Sequence, residues 1–402
     1  MSTLQKDIMA PEESYPSTSA SAKVMPIKAG ALKFSVERSL ILRALSHVQS
    51  VVEKRTTIPV LSNVKLEIEG DNLRLTATDM EISITETIPV KATTKGATTL
   101  PAQVLYDIIR KLPEGSEVEF NEAKAGQVEV KAGRSKFKLL SLPIDTFPAL
   151  ETNDLAYNFT LGAKDLRALI DKVRFAISNE ETRYYLNGIY LHHGEENGVP
   201  VLRTASTDGH RLARVSVNLP QGAAEIPGII IPKKTVNELR KLLAEYQGDV
   251  EVSLSETKII FSFGDAIVSS KLIDGKFPDY DRVIPKGNDK ILEVNTKEFT
   301  EAVDRVSTVS VEKARAIKLS VKTGLISIST DSPDGAQASE ELEVSYSADP
   351  IETGYNFRYV LDMMGQIEGE TTQFLLADSA SPALVRDPSD VSVLYVIMPM
   401  RI

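Results

Sequence analysis

Ser206, Asp208 and His210 stand within one short segment, Ser206-Thr-Asp-Gly-His-Arg-Leu212. Those three side-chain types build a nucleophile, its base and the acid that orients the base. Members of such a triad converge from distant positions, and three within five residues do not line up as a relay. A Thr-Asp-Gly turn between two strands accounts for Asp208 and Gly209 without chemistry. Arg183-Tyr184-Tyr185 offers a guanidinium for phosphate and two rings for stacking on bases, although a pair of buried strand aromatics explains the same residues. Asp79, Glu81, Asp331 and Asp334 carry the oxygens a hard cation takes, but they lie in separate segments without loop spacing, which favours solvated turns. His192 and His193 precede Gly194 in another expected turn and would hold a metal only with a partner the sequence does not show. No Gly-x-x-x-x-Gly-Lys occurs, and no Gly-x-Gly-x-x-Gly follows a strand, so nucleotide hydrolysis is not expected. With Cys 0, disulfides, zinc thiolates and thiol nucleophiles are excluded together. No cofactor and no metal are expected.

The elements that position these residues recur. Three segments open with an apolar strand running into an amphipathic helix, at Phe34, Phe159 and Leu292, so the starts lie 125 and 133 residues apart. Each block then holds a segment ending in Thr-Asp: Thr76-Ala-Thr-Asp79, Ala205-Ser-Thr-Asp208 and Ile328-Ser-Thr-Asp331. A second helix follows near Pro101, Lys233 and Asn356. Three landmarks in one order at one spacing predict three domains, near 32–153, 154–286 and 287–402. Residues 1–31 are rich in Ser, Pro, Ala and Thr with no hydrophobic period, and are expected to stay disordered.

Leu166, Leu169, Ile170, Val173 and Ile177 form a stripe of period 3.6, as do Leu105, Ile108, Ile109 and Leu112. Val64, Leu66 and Ile68 alternate with Lys65, Glu67 and Glu69, the pattern of a strand with one buried and one wet face. Each domain is therefore expected to be α+β, with two helices on one face of antiparallel sheets.

A chain of 402 residues with 42% hydrophobic and 25% charged residues matches an ordinary globular protein of several domains. No apolar run of 18 residues exists to span a bilayer, and the absence of Cys suits a reducing cytoplasm. The net charge of -10 argues against a surface that grips nucleic acid all over. Its distribution is uneven: the six helix windows carry +5 between them, leaving -15 elsewhere. A shared positive surface follows if the helices face one way.

Phe34-Ser-Val-Glu, Arg183-Tyr-Tyr-Leu-Asn-Gly188, Thr207-Asp-Gly-His-Arg-Leu212, Phe277-Pro-Asp-Tyr280 and Tyr395-Val-Ile-Met-Pro-Met-Arg-Ile402 follow one another in this chain. Together they resemble the β subunit of bacterial DNA polymerase III, the sliding-clamp family, from Lys33 to Ile402. The resemblance implies a non-enzymatic processivity factor, a head-to-tail homodimer closed around duplex DNA that tethers polymerases and is handled by a clamp loader. It implies a partner-peptide pocket between the second and third domains on Leu186, Thr207, Gly209, His210, Arg211, Leu212, Pro278, Arg282, Val283, Ala380, Pro382, Val396, Met398, Pro399, Met400 and Arg401. It implies DNA contacts from Arg55, Arg183, Tyr184 and Tyr185, and a dimer seam joining the strand of Phe137 and Leu139 to the region of Thr308 and Val309. Glu180 and Glu181 make the segment before Arg183 acidic.

Simple geometry points to the same assembly. A domain of about 120 residues is roughly 35 Å across. Three such bodies in a ring leave a hole of about 6 Å, whereas six leave roughly 35 Å, by the same scaling; a duplex has grooves about 8 Å deep by themselves. One chain is too small to encircle DNA, and two suffice. The alternatives are a three-domain binding scaffold with no ring, and a hydrolase using Ser206, Asp208 and His210.

Overall fold

Buried stripes set the six described helices, and short polar side chains cap three of them. Asn295 accepts a hydrogen bond from the Glu298 amide at 3.0 Å, and Phe299, Ala302, Val303 and Val306 then bury one face of the helix that follows. Glu37 and Asn356 cap two others in the same way. The computed structural model describes residues 32–53, 56–124, 126–148, 155–310, 315–333 and 335–401. The expectations for residues 1–31, Arg55, Asp334 and Ile402 fall outside them.

The first repeat runs β1 (Lys33–Glu37), α1 (Arg38–Val48), β2 (Asn63–Glu69), β3 (Asn72–Thr78), β4 (Ile82–Pro89), β5 (Lys91–Thr94), β6 (Ala97–Pro101), α2 (Ala102–Lys111), β7 (Glu117–Lys124), β8 (Gln127–Ala132) and β9 (Ser135–Leu140). The second runs β10 (Tyr157–Gly162), α3 (Ala163–Asp171), β11 (Gly188–Glu196), β12 (Val199–Thr207), β13 (Arg211–Asn218), β14 (Ile229–Pro232), α4 (Lys233–Leu243), β15 (Asp249–Leu254), β16 (Lys258–Phe263) and β17 (Ala266–Lys271). The third runs β18 (Lys290–Asn295), α5 (Thr296–Ser307), β19 (Ala316–Lys322), β20 (Leu325–Asp331), β21 (Gln337–Glu343), β22 (Ile351–Asn356), α6 (Phe357–Met364), β23 (Thr371–Leu376), β24 (Ala383–Asp387) and β25 (Asp390–Ile397). Every strand pairing is antiparallel, and the two helices of each repeat pack on each other and on the sheets. This is the expected α+β arrangement.

The sheets do not stop at the repeats. β17 of the second repeat pairs with β4 of the first, Ala266 opposite Glu86 through Ser270 opposite Ile82. β25 of the third pairs with β13 of the second, Arg211 opposite Ile397 through Val215 opposite Val393. The result is two eight-stranded sheets shared between neighbours, flanked by a sheet ending in β9 and another ending in β21.

Several local expectations need correction. α3 stops at Asp171, so Val173 and Ile177 lie beyond it, buried by a separate turn at Arg174–Ala176; Val173 sits at φ -122°, outside helical backbone. His192 and His193 are in strand β11, and the turn comes later at Asn197 and Gly198, both at positive φ as a two-residue hairpin requires. Gly194 instead gives room to Arg203, whose Nη1 would lie 2.9 Å from a Cβ there. Tyr184 and Tyr185 lie in a short 3-10 segment, Glu181–Leu186, and not in a strand.

Phe299 is fully buried and meets Phe374 edge to face at 5.4 Å. Phe299→Ala should cost about 3–5 kcal/mol, read as lost amide protection in β18 and β23. Unchanged exchange in those strands would show that this ring does not hold the third repeat together.

Candidate binding pocket at the second junction

Where β25 meets β13, the chain encloses a cavity of about 250 Å³. Its lining comes from four places: Arg183, Tyr185 and Leu186 of the 3-10 segment; Thr207, Gly209, Arg211 and Leu212 around the β12–β13 turn; Pro278, Asp279, Tyr280 and Val283 of the linker between repeats; and Val396 and Met398 at the chain's end. Beneath it Leu186, Ala205, Leu212, Ile230, Phe277, Tyr280 and Val396 form a small apolar cluster separate from the main core.

The β12–β13 turn is fixed by its own side chains. Asp208 Oδ1 accepts from the amides of His210 at 2.9 Å and Arg211 at 3.1 Å, and Thr207 Oγ1 donates to the Arg211 carbonyl at 2.7 Å. Gly209 has φ +89°, a backbone conformation that calls for glycine, and a Cβ there would also crowd the Arg183 guanidinium. Arg183 donates to the Asp208 carbonyl at 2.9 Å and forms a fork with Glu180. That fork holds the Glu180 carboxyl below its ordinary range.

Arg211 ties the two repeats. Its guanidinium donates to Asp208 Oδ2 (3.0 Å), to Asp362 Oδ2 on α6 (2.6 Å) and to the Phe175 carbonyl (2.7 Å). It also lies over the rings of Tyr359 at 4.2 Å and Phe175 at 5.1 Å. Planar, forked and permanently charged, Arg is the side chain that can satisfy so many partners while 9% exposed.

Of the residues expected at this pocket, Leu186, Thr207, Gly209, Arg211, Leu212, Pro278, Val283, Val396 and Met398 line the cavity. His210 stacks on Tyr359 instead, at 6.3 Å. Arg282 points outward, 84% exposed at its side chain, and pairs with Asp279. Ala380 and Pro382 belong to a turn held by Asp378 and Asn288. Pro399, Met400 and Arg401 continue past the cavity, with the Met400 amide on the Gly354 carbonyl. Asp279 and Tyr280 line it unexpectedly, although the Phe277-Pro-Asp-Tyr280 segment was a visible sign. Arg183 and Tyr185, expected to face DNA, are part of its wall, while Tyr184 stands out to solvent at 53% exposure.

The hydrolase alternative fails on geometry. Ser206 is fully buried and its Oγ donates to the Val173 carbonyl at 2.5 Å. Asp208 is committed to amides and Arg211, and His210 to Tyr359. Asp79 likewise holds a turn, accepting from the Glu81 and Ile82 amides and from Lys234. At two of the sheet ends, Phe137 and Leu139 turn toward the core from β9, and Thr308 and Val309 follow α5, which packs on β21.

Three family models match the chain in order: the DNA polymerase III beta subunit N-terminal domain over residues 32–151, its central domain over 160–279 and its C-terminal domain over 281–401. The beta sliding clamp of Caulobacter vibrioides is 47% identical over 372 residues, 92% of this chain and 100% of its own. That of Escherichia coli K12 is 37% identical over 373 residues, with the same 92% and 100% coverage. Among solved structures, the sliding clamp of Bartonella birtlesii bound to griselimycin superposes with a TM-score of 0.90 at 45% identity, covering 92% of this chain and 100% of that one. The Caulobacter crescentus clamp with PEG bound to a putative beta-motif tethering region gives 0.91 at 46%, covering 93% and 100%. Three repeats in fixed order, with relatives matched along their whole length, mean that the chain belongs to the family of DNA polymerase III beta subunits, the beta sliding clamps, which are processivity factors and not enzymes.

Proposed function

We propose that two copies of this chain close head to tail into a six-domain ring around duplex DNA, in the cytoplasm, and tether polymerases there by short apolar peptides. The carrying observation is the pattern of strand edges. Both internal junctions join the last strand of a repeat's first half (β4, β13) to the last strand of the next repeat's second half (β17, β25). The remaining strands of these two kinds, β21 and β9, lie at the ends of their sheets. A twofold axis that pairs β9 of one copy with β21 of the other satisfies both edges in each copy.

The side chains agree with that pairing. On the core-facing side, Phe137 and Leu139 of β9 would meet Ala338 and Leu342 of β21, all four half-buried against the core already. On the outer side, exposed Lys136 and Lys138 would meet exposed Glu341 and Glu343. Thr308 and Val309, at the end of α5 that packs on β21, would stay in this seam beside the strand pair. α1, α3 and α5 pack beneath β4, β13 and β21 respectively, so all three repeats carry their helices on the same face. The ring would turn those helices, and their share of the positive charge, toward DNA; Tyr184, beside the pocket, is the exposed ring best placed to touch it. The cavity at the β13–β25 junction would take the partner peptide.

Glu341→Lys with Glu343→Lys should give monomers by light scattering, and mixing them with a Lys136→Glu, Lys138→Glu chain should restore both seams in a mixed dimer. An unchanged dimer mass would remove this seam. Binding to short linear duplexes should be weak, and retention on a closed circle after loading should end when the circle is cut. Persistence on the linearised DNA would sink topological tethering. Griselimycin, bound by the Bartonella birtlesii and Pseudomonas aeruginosa clamps, should bind here too, and deleting Met398–Ile402 should abolish it. The truncation loses the Met398 and Met400 amide bonds, at about 1 kcal/mol each, so dimer and melt should persist. Normal titration of the truncated protein would place the site elsewhere.

A further inference from the structure

One wall of the cavity is a linker without a strand of its own, and side chains of β11 hold it from behind. Tyr190 lies flat on Phe277, with ring centres 4.8 Å apart and planes within 3°. Its other contact is the His192 imidazole, stacked at 4.6 Å. A Cβ at position 228 would collide with the Tyr190 hydroxyl, so Gly228 leaves room for this ladder. At its end, His192 Nε2 lies 2.8 Å from the hydroxyl of Tyr280, whose ring lines the cavity and which is 5% exposed.

The proton order in this contact is determined by its surroundings. His192 Nδ1 is 2.6 Å from the His193 carbonyl, which only accepts, so Nδ1 carries the hydrogen. Nε2 then presents a lone pair, and the Tyr280 hydroxyl must donate to it. Burial lowers His192 to about 4, with Arg203 adding to the effect and Asp281 opposing it. Burial also pushes Tyr280 up to about 12. Both groups are neutral at neutral pH, and a single arrangement of hydrogens satisfies them.

We propose that His192, through its Nδ1–H tautomer, is a positioning residue of the pocket that fixes Tyr280 and with it the Pro278–Val283 wall. This rests on reading the cavity as the peptide site. It follows from the cost of ordering a loop on binding: a wall already held in place leaves more of the apolar burial to appear as affinity. Tyr190 and His192 stand behind that wall, outside the cavity lining. Sequence alone hides it, since His192 is some ninety residues from Tyr280 and reads as a turn residue.

The test is the griselimycin titration on the full-length dimer. His192→Leu and Tyr280→Phe should each weaken binding about tenfold, and the double variant should lose no more than Tyr280→Phe alone, because loss of the hydroxyl already removes the bond to His192 along with its contact to Arg203. His192→Gln, whose Oε1 can accept from Tyr280, should recover affinity to within about threefold of the parent. Long-range ¹⁵N spectra should show His192 as the Nδ1–H tautomer, and that signature should persist when the probe is bound. Parent-like affinity in Tyr280→Phe, additive losses in the double variant, or failure of Gln to rescue would each overturn the positioning role. Leu212→Asp, in the cavity floor, separates the two readings. If it binds normally, the cavity is not the site; if it fails while Tyr280→Phe binds normally, the cavity stands and the positioning role falls.

Discussion

The arrangement of this molecule depends on one constraint: a strand edge exposes a row of amide and carbonyl groups that must find partners. Each repeat has two half-sheets, each closing on a last strand, and the chain pairs four of these six strand edges by joining β4 with β17 and β13 with β25; β5, β6, β10, β14, β18 and β22 end the described sheets on their other sides. Continuous sheets across those junctions make the repeats a stiff arc rather than beads on linkers. They also fix the sense of the last pairing. Since the inner junctions always match first-half to second-half strands, β9 and β21 are complementary by construction, and like edges would not repeat the geometry. A closed ring of two chains then leaves none of these six edges open.

The pocket is a by-product of the same junction. Bringing β25 against β13 lays the chain's end beside the β12–β13 turn, and the linker that must return to the third repeat passes over both. At the first junction the matching turn carries Met80, at positive φ, where the second has Gly209, and Lys234 pairs with its Asp79. Two fastenings hold the second junction open as a groove. Arg211 bridges turn and α6 from below, and the Tyr190, His192 and Tyr280 ladder holds the linker from the side.

Much of this was legible in the sequence, for identifiable reasons. The helices announced themselves through their stripes, and the repeats through the recurring Thr-Asp turn, because a packed core enforces period and spacing. β21 was not legible. Gln337-Ala-Ser-Glu-Glu-Leu-Glu343 holds only two apolar residues and three carboxylates, at the end of its sheet. A strand that completes its environment by assembly carries a weak signal alone. His192 and His193 were misread for a related reason: Gly194 suggested a turn, when its small size serves the close approach of Arg203. Tyr184 and Tyr185 read as one pair, yet the 3-10 turn sends one to solvent and the other to the cavity wall.

Charge completes the argument. A protein that must stay on DNA and still move along it cannot rely on many phosphate contacts, because each released counterion deepens the well it would have to leave. Here the helix windows carry only +5 against -15 for the rest of the sequence. Several of their cations are already engaged by the protein itself: Lys172 with Glu368, Arg240 with Asp171, Lys234 with Asp79 and Arg305 with Glu340. Even Arg183, beside the exposed Tyr184, is taken by Glu180 and the Asp208 carbonyl. In the proposed ring, this leaves the helices a small positive excess within an acidic chain, too little for tight phosphate binding. In the proposed assembly, retention would then come from closure of the ring, which places the burden on the proposed pairing of β9 with β21.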